Sequence, residues 1–285
     1  MPELPEVETI RKDLIEKVLG KEIVSVEVLL DRVYQNPEMI DVKGVVKNIS
    51  RIGKYLSVDV KGCCTLFVHL RMTGKLVYVK TSANYDLKSP PASTHPYPSK
   101  GGNIGGNHIR VIFHFKTGDC LLFQDVRTFG LIEVMPYKTQ LADMKNIGVD
   151  ALSPEFTVEY LSKLCSLKSS PVKTLLLDQA KIAGIGNIYV QEILFCAGVS
   201  PLRLANSLKD FEIEKIWRFT LEILELALKH NGTSISDFRR VDDKKGEFQD
   251  FLKVYGKKTC SVCGRELLKI KQAGRSTSYC GGCQV

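Results

Sequence analysis

Apolar and polar positions change period twice along the chain, and the changes divide it into three stretches. From residue 5 to 19 the apolar positions Val7, Ile10, Leu14, Ile15 and Val18 recur every three or four residues. That is the spacing of a helix burying one stripe, and Gly20 is placed to end it. Over the next hundred residues the period falls to two: Val24, Val26, Val28 and Leu30 alternate, as do Val58 and Val60, Leu66, Val68 and Leu70, and Ile109, Val111, Phe113 and Phe115. A Thr117-Gly118-Asp119 turn leads into a further run over 120–126. Short alternating segments separated by turn residues predict an antiparallel β-sandwich. After Met135-Pro136 the helical period returns, with helices expected near 155–167, 171–181, 187–197 and 207–230. Ser207-x-x-Asp210 would open the last helix and Asn231-Gly232 close it. A loop and two short strands are expected before the cysteine-rich end. The fold class is α+β: an N-terminal helix and β-sandwich over 1–135, a linker over 136–150, a helical domain over 151–243 and a small cysteine module over 244–285. Residues 81–107, rich in Ser, Pro, Asn and Gly, read as a long loop inside the first domain.

Composition narrows the class without naming a function. The 285 residues are 44% hydrophobic and 25% charged, a soluble globular composition with room for about two domains. No apolar stretch approaches the ~20 residues of a membrane span, and the acidic start lacks the basic leader of a signal peptide, so a cytoplasmic location without membrane contact is expected. Net charge is +8, and residues 251–285 carry seven Lys or Arg against the single acid Glu266. Such a tail suits a polyanion, although a solvated basic face would look the same. Of nine cysteines, Cys63, Cys64, Cys120, Cys165 and Cys196 sit in apolar or periodic stretches and read as reduced core residues. Cys260-x2-Cys263 and Cys280-x2-Cys283, 16 residues apart, instead match the spacing of a four-thiolate zinc site; disulfides are the alternative, disfavoured in a reducing compartment.

Two further segments carry chemistry. Pro2 follows the initiator methionine, and removal of Met1 would leave a secondary amine able to attack a carbonyl or a sugar C1′ and form a permanently cationic iminium. Glu3 beside it is a candidate proton donor. A purely structural reading puts Pro5 in a helical first turn with Glu6 and Glu8 favoured by the macrodipole. The second segment, Ala183-Gly184-Ile185-Gly186-Asn187-Ile188-Tyr189, joins two expected helices. Its glycines would let backbone approach a ligand, and the N–H groups at the next helix start would bind phosphate, with Asn187 capping or touching it.

The string Pro2-Glu3-Leu4-Pro5-Glu6-Val7-Glu8-Thr9 resembles the N-terminus of the formamidopyrimidine-DNA glycosylase family of bacterial base-excision enzymes. Further matches follow in family order. Gly53-Lys54-Tyr55 resembles the strand whose lysine meets the phosphate beside the damaged nucleotide. His69-Leu70-Arg71-Met72-Thr73-Gly74 resembles the hairpin that places His69 on phosphate and Met72 in the gap left by an everted base. Asp125-Val126-Arg127-Thr128-Phe129-Gly130 resembles the partner loop, with Arg127 facing the orphaned cytosine and Phe129 wedged into the stack, although the family's second loop arginine is here Thr128. The 183–189 segment is similar to the family's helix-two-turn-helix, in which Asn187 would grip the DNA backbone. Residues 271–280 are similar to its zinc β-hairpin, with Arg275 at the tip. Ser234 to Gln249 resembles a mobile loop that covers the flipped base.

The resemblance implies a bifunctional DNA glycosylase and AP lyase, a monomer that excises 8-oxoguanine and formamidopyrimidines from damaged double-stranded DNA. Pro2 and Glu3, with Lys54 and Arg275, form the implied catalytic set, and Glu6 helps order it. His69, Met72, His108, Arg127, Phe129 and Asn187 contact DNA, and Cys260, Cys263, Cys280 and Cys283 hold one structural zinc ion. An endonuclease VIII-like enzyme for oxidised pyrimidines and a non-catalytic zinc-finger DNA binder are the rivals.

Overall fold

A computed structural model describes residues 1–36, 41–80, 108–235 and 238–285, so the expected loop over 81–107 lies outside the described residues. The chain divides into two compact units. The first holds residues 1–2, 6–143 and 234–246, and the second holds residues 3–5, 144–233 and 247–285.

In the first unit the apolar stripe read from the sequence does bury itself: Val7, Ile10, Leu14 and Val18 of helix α1 (Leu4–Val18) are all at most 2% exposed. Among the described residues nine strands follow: β1 (Glu22–Val28), β2 (Tyr34–Gln35), β3 (Gly44–Ile52), β4 (Tyr55–Val60), β5 (Cys64–His69), β6 (Gly74–Val79), β7 (Ile109–Phe115), β8 (Cys120–Asp125) and β9 (Leu131–Pro136). They hydrogen-bond in the order β2-β9-β5-β4-β3-β1-β7-β8-β6, antiparallel except for the β2–β9 pair. Only Glu22↔Val45 and Ile23↔Gly44 link β1 to β3. The halves on either side of that link bury their facing residues in one core, Ile49, Leu56, Val68 and Ile132 from one and Leu76, Val111, Phe113 and Phe123 from the other, with the α1 stripe added. The expected sandwich is therefore a continuous ladder folded across a two-residue seam.

β1 departs from the alternation read in the sequence. A bulge between Ile23 and Ser25 puts Ile23 in the core at 3% exposed and turns Val24 outward at 36%, since one extra residue reverses which face each side chain meets. Cross-strand pairs Tyr55↔His69, His69↔Leu131 and Gly74↔Asp125 set three connections at one end of the ladder: the Gly53-Lys54 turn, loop 70–73 and loop 126–130. Residues 238–246, expected to run with the helical domain as far as 243, instead pack here: Tyr78 N–H donates to Val241 O at 3.0 Å, and Arg240 pairs with Asp13 of α1 through bonds of 2.7 and 3.1 Å. Short helix α2 (Leu141–Met144) ends the sandwich segment.

The second unit comprises β10 (Val149–Asp150), α3 (Val158–Ser166), α4 (Val172–Leu177), β11 (Ile182–Ala183), α5 (Tyr189–Ala197), α6 (Asp210–Lys229), β12 (Leu268–Gln272) and β13 (Arg275–Tyr279). Leu161, Leu176, Tyr189, Ile193, Ile216 and Leu224 form its core, which also takes Leu4. The helix expected over 171–181 stops at Leu177 because Ile182 and Ala183 leave it to pair in parallel with β10. α6 is opened from inside, the Glu212 carboxylate accepting the Lys209 N–H at 2.8 Å, while Ser207 bonds Leu204 O in a preceding turn. The two short strands expected ahead of the cysteine module lie within it, between the cysteine pairs. β12 and β13 meet at Gln272↔Arg275 through Ala273-Gly274, whose φ values of 49° and 73° match the two-residue hairpin turn that needs positive φ at both positions.

Candidate active site and nucleic-acid interface

At the connected end of the first unit, Lys54 lies in the β3–β4 turn and not on a strand, 6% exposed. Its charge acts on His69, whose ring is 7% exposed and packs edge-on against Tyr55 at 4.4 Å. The Arg71 N–H donates to His69 Nδ1 at 3.0 Å, which leaves the ring proton on Nε2 as a donor. Burial first, then the Arg71 and Lys54 charges, push the His69 pKa down to about 3. A free imidazole titrates near ~6.5, so the unfolded chain takes the proton first on acidification. The stability carried by the neutral ring is complete above about pH 6.5 and is lost as pH falls toward about 3, at about 1.4 kcal/mol per pH unit. Urea unfolding between about pH 6 and about pH 4 should carry close to that slope from His69 in the parent, and a slope smaller by about the same amount in His69→Gln; equal slopes would place the acid sensitivity in another group.

Loop 126–130 is pinned by a residue whose role the sequence did not reveal. Asp125, 1% exposed, accepts from the Thr73 hydroxyl and the Arg127 N–H (3.2 Å) through Oδ1, and from the Gly130 N–H (2.7 Å) through Oδ2. One carboxylate thus ties loop 70–73 to loop 126–130. Phe129 is 50% exposed with the Arg127 guanidinium 4.8 Å from its ring centre, which excludes a core role for it. Met72 is half-buried at its turn, and His108 is exposed beside Arg110, which bonds Asp125 O at 2.9 Å. Pro2 is buried, as is Glu6 in the first turn of α1.

In the second unit Glu3 is 2% exposed and fixed: Oε1 accepts the Ile188 N–H at 2.9 Å and Oε2 the Tyr189 N–H at 3.4 Å. This corrects the reading of the 183–189 turn. The N–H groups at the start of α5 hold a carboxylate of this chain, and the glycines make room for it. A Cβ on Gly186 would stand 2.1 Å from Glu3 Cδ; one on Gly184, whose φ is +109°, would stand 2.4 Å from Leu4 Cδ1. Asn187 is no helix cap. Its Oδ1 accepts from Lys173 Nζ at 2.8 Å and its Nδ2 donates to Ser276 O at 3.1 Å.

Lys173 was missed because helical periodicity made it one more polar position; burial decides otherwise. It is 0% exposed and also donates to the Thr277 hydroxyl at 2.6 Å. Burial, then the Arg275 charge, push its pKa down to about 8, with Glu3 acting in the opposite direction. Glu3 and Arg275 also act on Tyr255, raised mainly by burial, and the Tyr255 N–H is one of three backbone donors held by the Glu192 carboxylate, at 2.7 Å. Arg275 stands exposed beside the Ala273-Gly274 turn. The electrostatic neighbours Glu3, Lys173, Tyr255 and Arg275 give a fixed carboxylate, a depressed amine, a phenol and an exposed guanidinium, a set suited to acid–base work beside a phosphate.

The four module cysteines bring their sulfurs within 4.8 Å of one another, with Cys260–Cys283 at 3.8 Å and Cys263–Cys280 at 3.5 Å. Zinc–thiolate bonds of ~2.3 Å give a tetrahedron with edges of roughly 3.8 Å, so the donor set and its spacing fit zinc and exclude disulfides. Four protein ligands leave no open position, which makes the metal structural. Among the described residues no helix is long and apolar enough to cross a membrane.

Known proteins give the same architecture. The family model of the formamidopyrimidine-DNA glycosylase N-terminal domain matches residues 1–132, that of its H2TH domain residues 147–239, and that of a zinc finger found in FPG and IleRS residues 257–285. The chain is 40% identical to the formamidopyrimidine-DNA glycosylase of Pelotomaculum thermopropionicum over 100% of this chain and 99% of the relative. It superposes on the crystal structure of the MutM (FPG) protein of Thermus thermophilus with a TM-score of 0.84 at 31% identity, covering 99% of this chain and 98% of that one. It matches Lactococcus lactis Fpg in complex with an abasic site containing DNA with a TM-score of 0.83 at 32% identity, covering 99% of each. The chain belongs to the formamidopyrimidine-DNA glycosylase family.

Proposed function

We propose that this protein is a monomeric, bifunctional DNA glycosylase and AP lyase that removes 8-oxoguanine and formamidopyrimidines from duplex DNA in the cytoplasm. The observation that carries the reading is the fixed carboxylate of Glu3, bonded to two backbone N–H groups and directly following Pro2 in the chain. Once Met1 is removed, the Pro2 nitrogen attacks C1′, the C1′–N bond to the base breaks, and the base leaves with a proton. Glu3 protonates the sugar-ring oxygen as the ring opens to the iminium. Loss of a C2′ proton then drives β-elimination of the 3′ phosphate, and δ-elimination releases the 5′ phosphate. Glu6 orders the amine end. Lys54, His69, Asn187 and Arg275 hold phosphates, His69 as a neutral Nε2–H donor. Met72, Arg127 and Phe129 occupy the space of the everted nucleotide and offset the few kcal/mol of unstacking. His108 adds a contact to the same backbone. The zinc module holds β12 and β13 in place and takes no part in bond breaking.

The relatives' names support the substrate class, since one bound structure contains carbocyclic 8-oxo-G DNA and another Fapy-dG DNA. Borohydride trapping on a duplex with 8-oxoguanine opposite cytosine, run beside a thymine-glycol duplex, tests the assignment. A covalent adduct formed faster on 8-oxoguanine is expected. Faster reaction on thymine glycol would move the protein to the pyrimidine branch, and gel-shift binding without an adduct would leave a non-catalytic DNA binder.

A further inference from the structure

Between the two ends of the wedge loop that Asp125 holds lies one peptide with a separate partner. The Thr128 carbonyl accepts from Arg32 Nη2 at 2.9 Å and from Nε at 3.3 Å. Thr128 needs such a hold. Its φ of +54° is in the left-handed region, which a β-branched side chain disfavours, and a backbone of this kind persists only where neighbours fix it. Phe129 cannot supply the restraint, because half of it is exposed. Asp125 clamps the N–H groups of Arg127 and Gly130, so the middle of the loop depends on the guanidinium.

Arg32 is itself well placed. It sits in a tight turn, Asp31–Val33, in which Val33 is fully buried, and the following residue, Tyr34, pairs with Ile132 of β9 just beyond the loop. The parallel β2–β9 pairing therefore brings a side chain from nearly a hundred residues away onto the loop's midpoint. Without the two bonds Thr128 returns to an ordinary φ, and the side chains on either side, Arg127 and Phe129, turn with it.

We propose that Arg32 is a positioning residue for the wedge loop, setting the orientation in which Arg127 meets the base opposite the lesion. The proposal rests on the glycosylase reading above. A plain surface arginine is the competing account, and an exposed bond of that kind would contribute little to stability, so the decisive readout is base discrimination and not unfolding.

The experiment compares the parent with Arg32→Ala and Arg32→Lys. Release of 8-oxoguanine is measured opposite cytosine and opposite adenine, alongside borohydride trapping on a single-stranded abasic oligonucleotide that has no opposite base. The Ala variant is expected to lose about tenfold of the parent's cytosine-over-adenine ratio, at the low end of what one well-placed arginine contributes to telling bases apart. The Lys variant, able to make one bond to the carbonyl, should keep part of the ratio, and single-stranded trapping should not change. An unchanged ratio in the Ala variant overturns the proposal, as does an equal loss of single-stranded trapping. A second measurement stands apart from catalysis: the emission of a fluorescent cytosine analogue opposite a tetrahydrofuran lesion should change when the parent binds, and change less with the Ala variant. If the parent releases no base, the glycosylase reading fails, and the emission result still decides the role of Arg32.

Discussion

Protein that retains Met1 is expected to bind tetrahydrofuran-containing duplex DNA about as tightly as the processed form, and to give no borohydride-stable adduct. In the unprocessed chain the Pro2 nitrogen is a tertiary amide with its lone pair delocalised into the carbonyl, so it can neither attack C1′ nor carry the iminium. The phosphate contacts assigned to Lys54, His69, Asn187 and Arg275 do not depend on that nitrogen. Adduct yield should fall on the order of 10³-fold or more while affinity stays within about threefold, the separation expected when only the nucleophile is removed. Intact mass fixes which form is in the tube, and trapping and gel shift are then read on the same sample. An adduct from Met1-retaining protein would sink the assignment and move the nucleophile to a lysine. Lys173, lowered to about 8, has the amine chemistry for it, but its Nζ is committed to Asn187 and Thr277.

Gly186→Ala is the second large effect. The added methyl would meet the Glu3 carboxyl group, with atoms at 2.1, 2.3 and 2.5 Å, inside van der Waals contact for all three. The helix start cannot retreat, because Leu4 N–H is bonded to Gly184 O and Val190 N–H to Gly186 O. Glu3 must therefore leave its two N–H donors. Overpacking of this kind costs about 1–3 kcal/mol of stability, and displacing Glu3, the proposed proton donor, is expected to cost about 10²-fold or more in rate. Single-turnover excision and urea unfolding on the same variant check both. A rate within about twofold of the parent would mean that the position of Glu3 has no bearing on base release.

The zinc cysteines could be read from the chain because metal ligation is local chemistry: two close pairs specify the site wherever they fold. α1, α3 and α5 were readable for a related reason, since one apolar stripe suffices to bury a helix on one side. β5 was readable from the alternation of Leu66 and Val68, although both of its faces turn out to be buried, all six residues being covered. β3, β6 and β9 escaped because their apolar positions are interrupted by Lys47, Asn48, Lys75 and Glu133, whose side chains matter only once neighbours are known. The glycines of 183–189 were noticed for the right reason and given the wrong guest, because sequence shows that backbone approaches something but not that Glu3 is the thing approached. Lys173, Asp125 and Arg32 were invisible individually. Each acts through a partner 14, 52 or 96 residues away, a separation that no local pattern encodes.

The burial of the first residues has a consequence for the order of events during synthesis. Glu3 and Leu4 are among the first residues to leave the ribosome, yet the groups that hold them are Gly184, Ile188 and Tyr189. At about 5–20 residues per second those partners emerge roughly 10–40 s later. Throughout that interval the backbone groups that hold Glu3 and Leu4 in the folded protein have not yet been made. Once the second unit forms around Glu3 the third and fourth residues are fixed, so on the chemistry proposed above removal of Met1 is expected to be a co-translational step that precedes the folding of that unit.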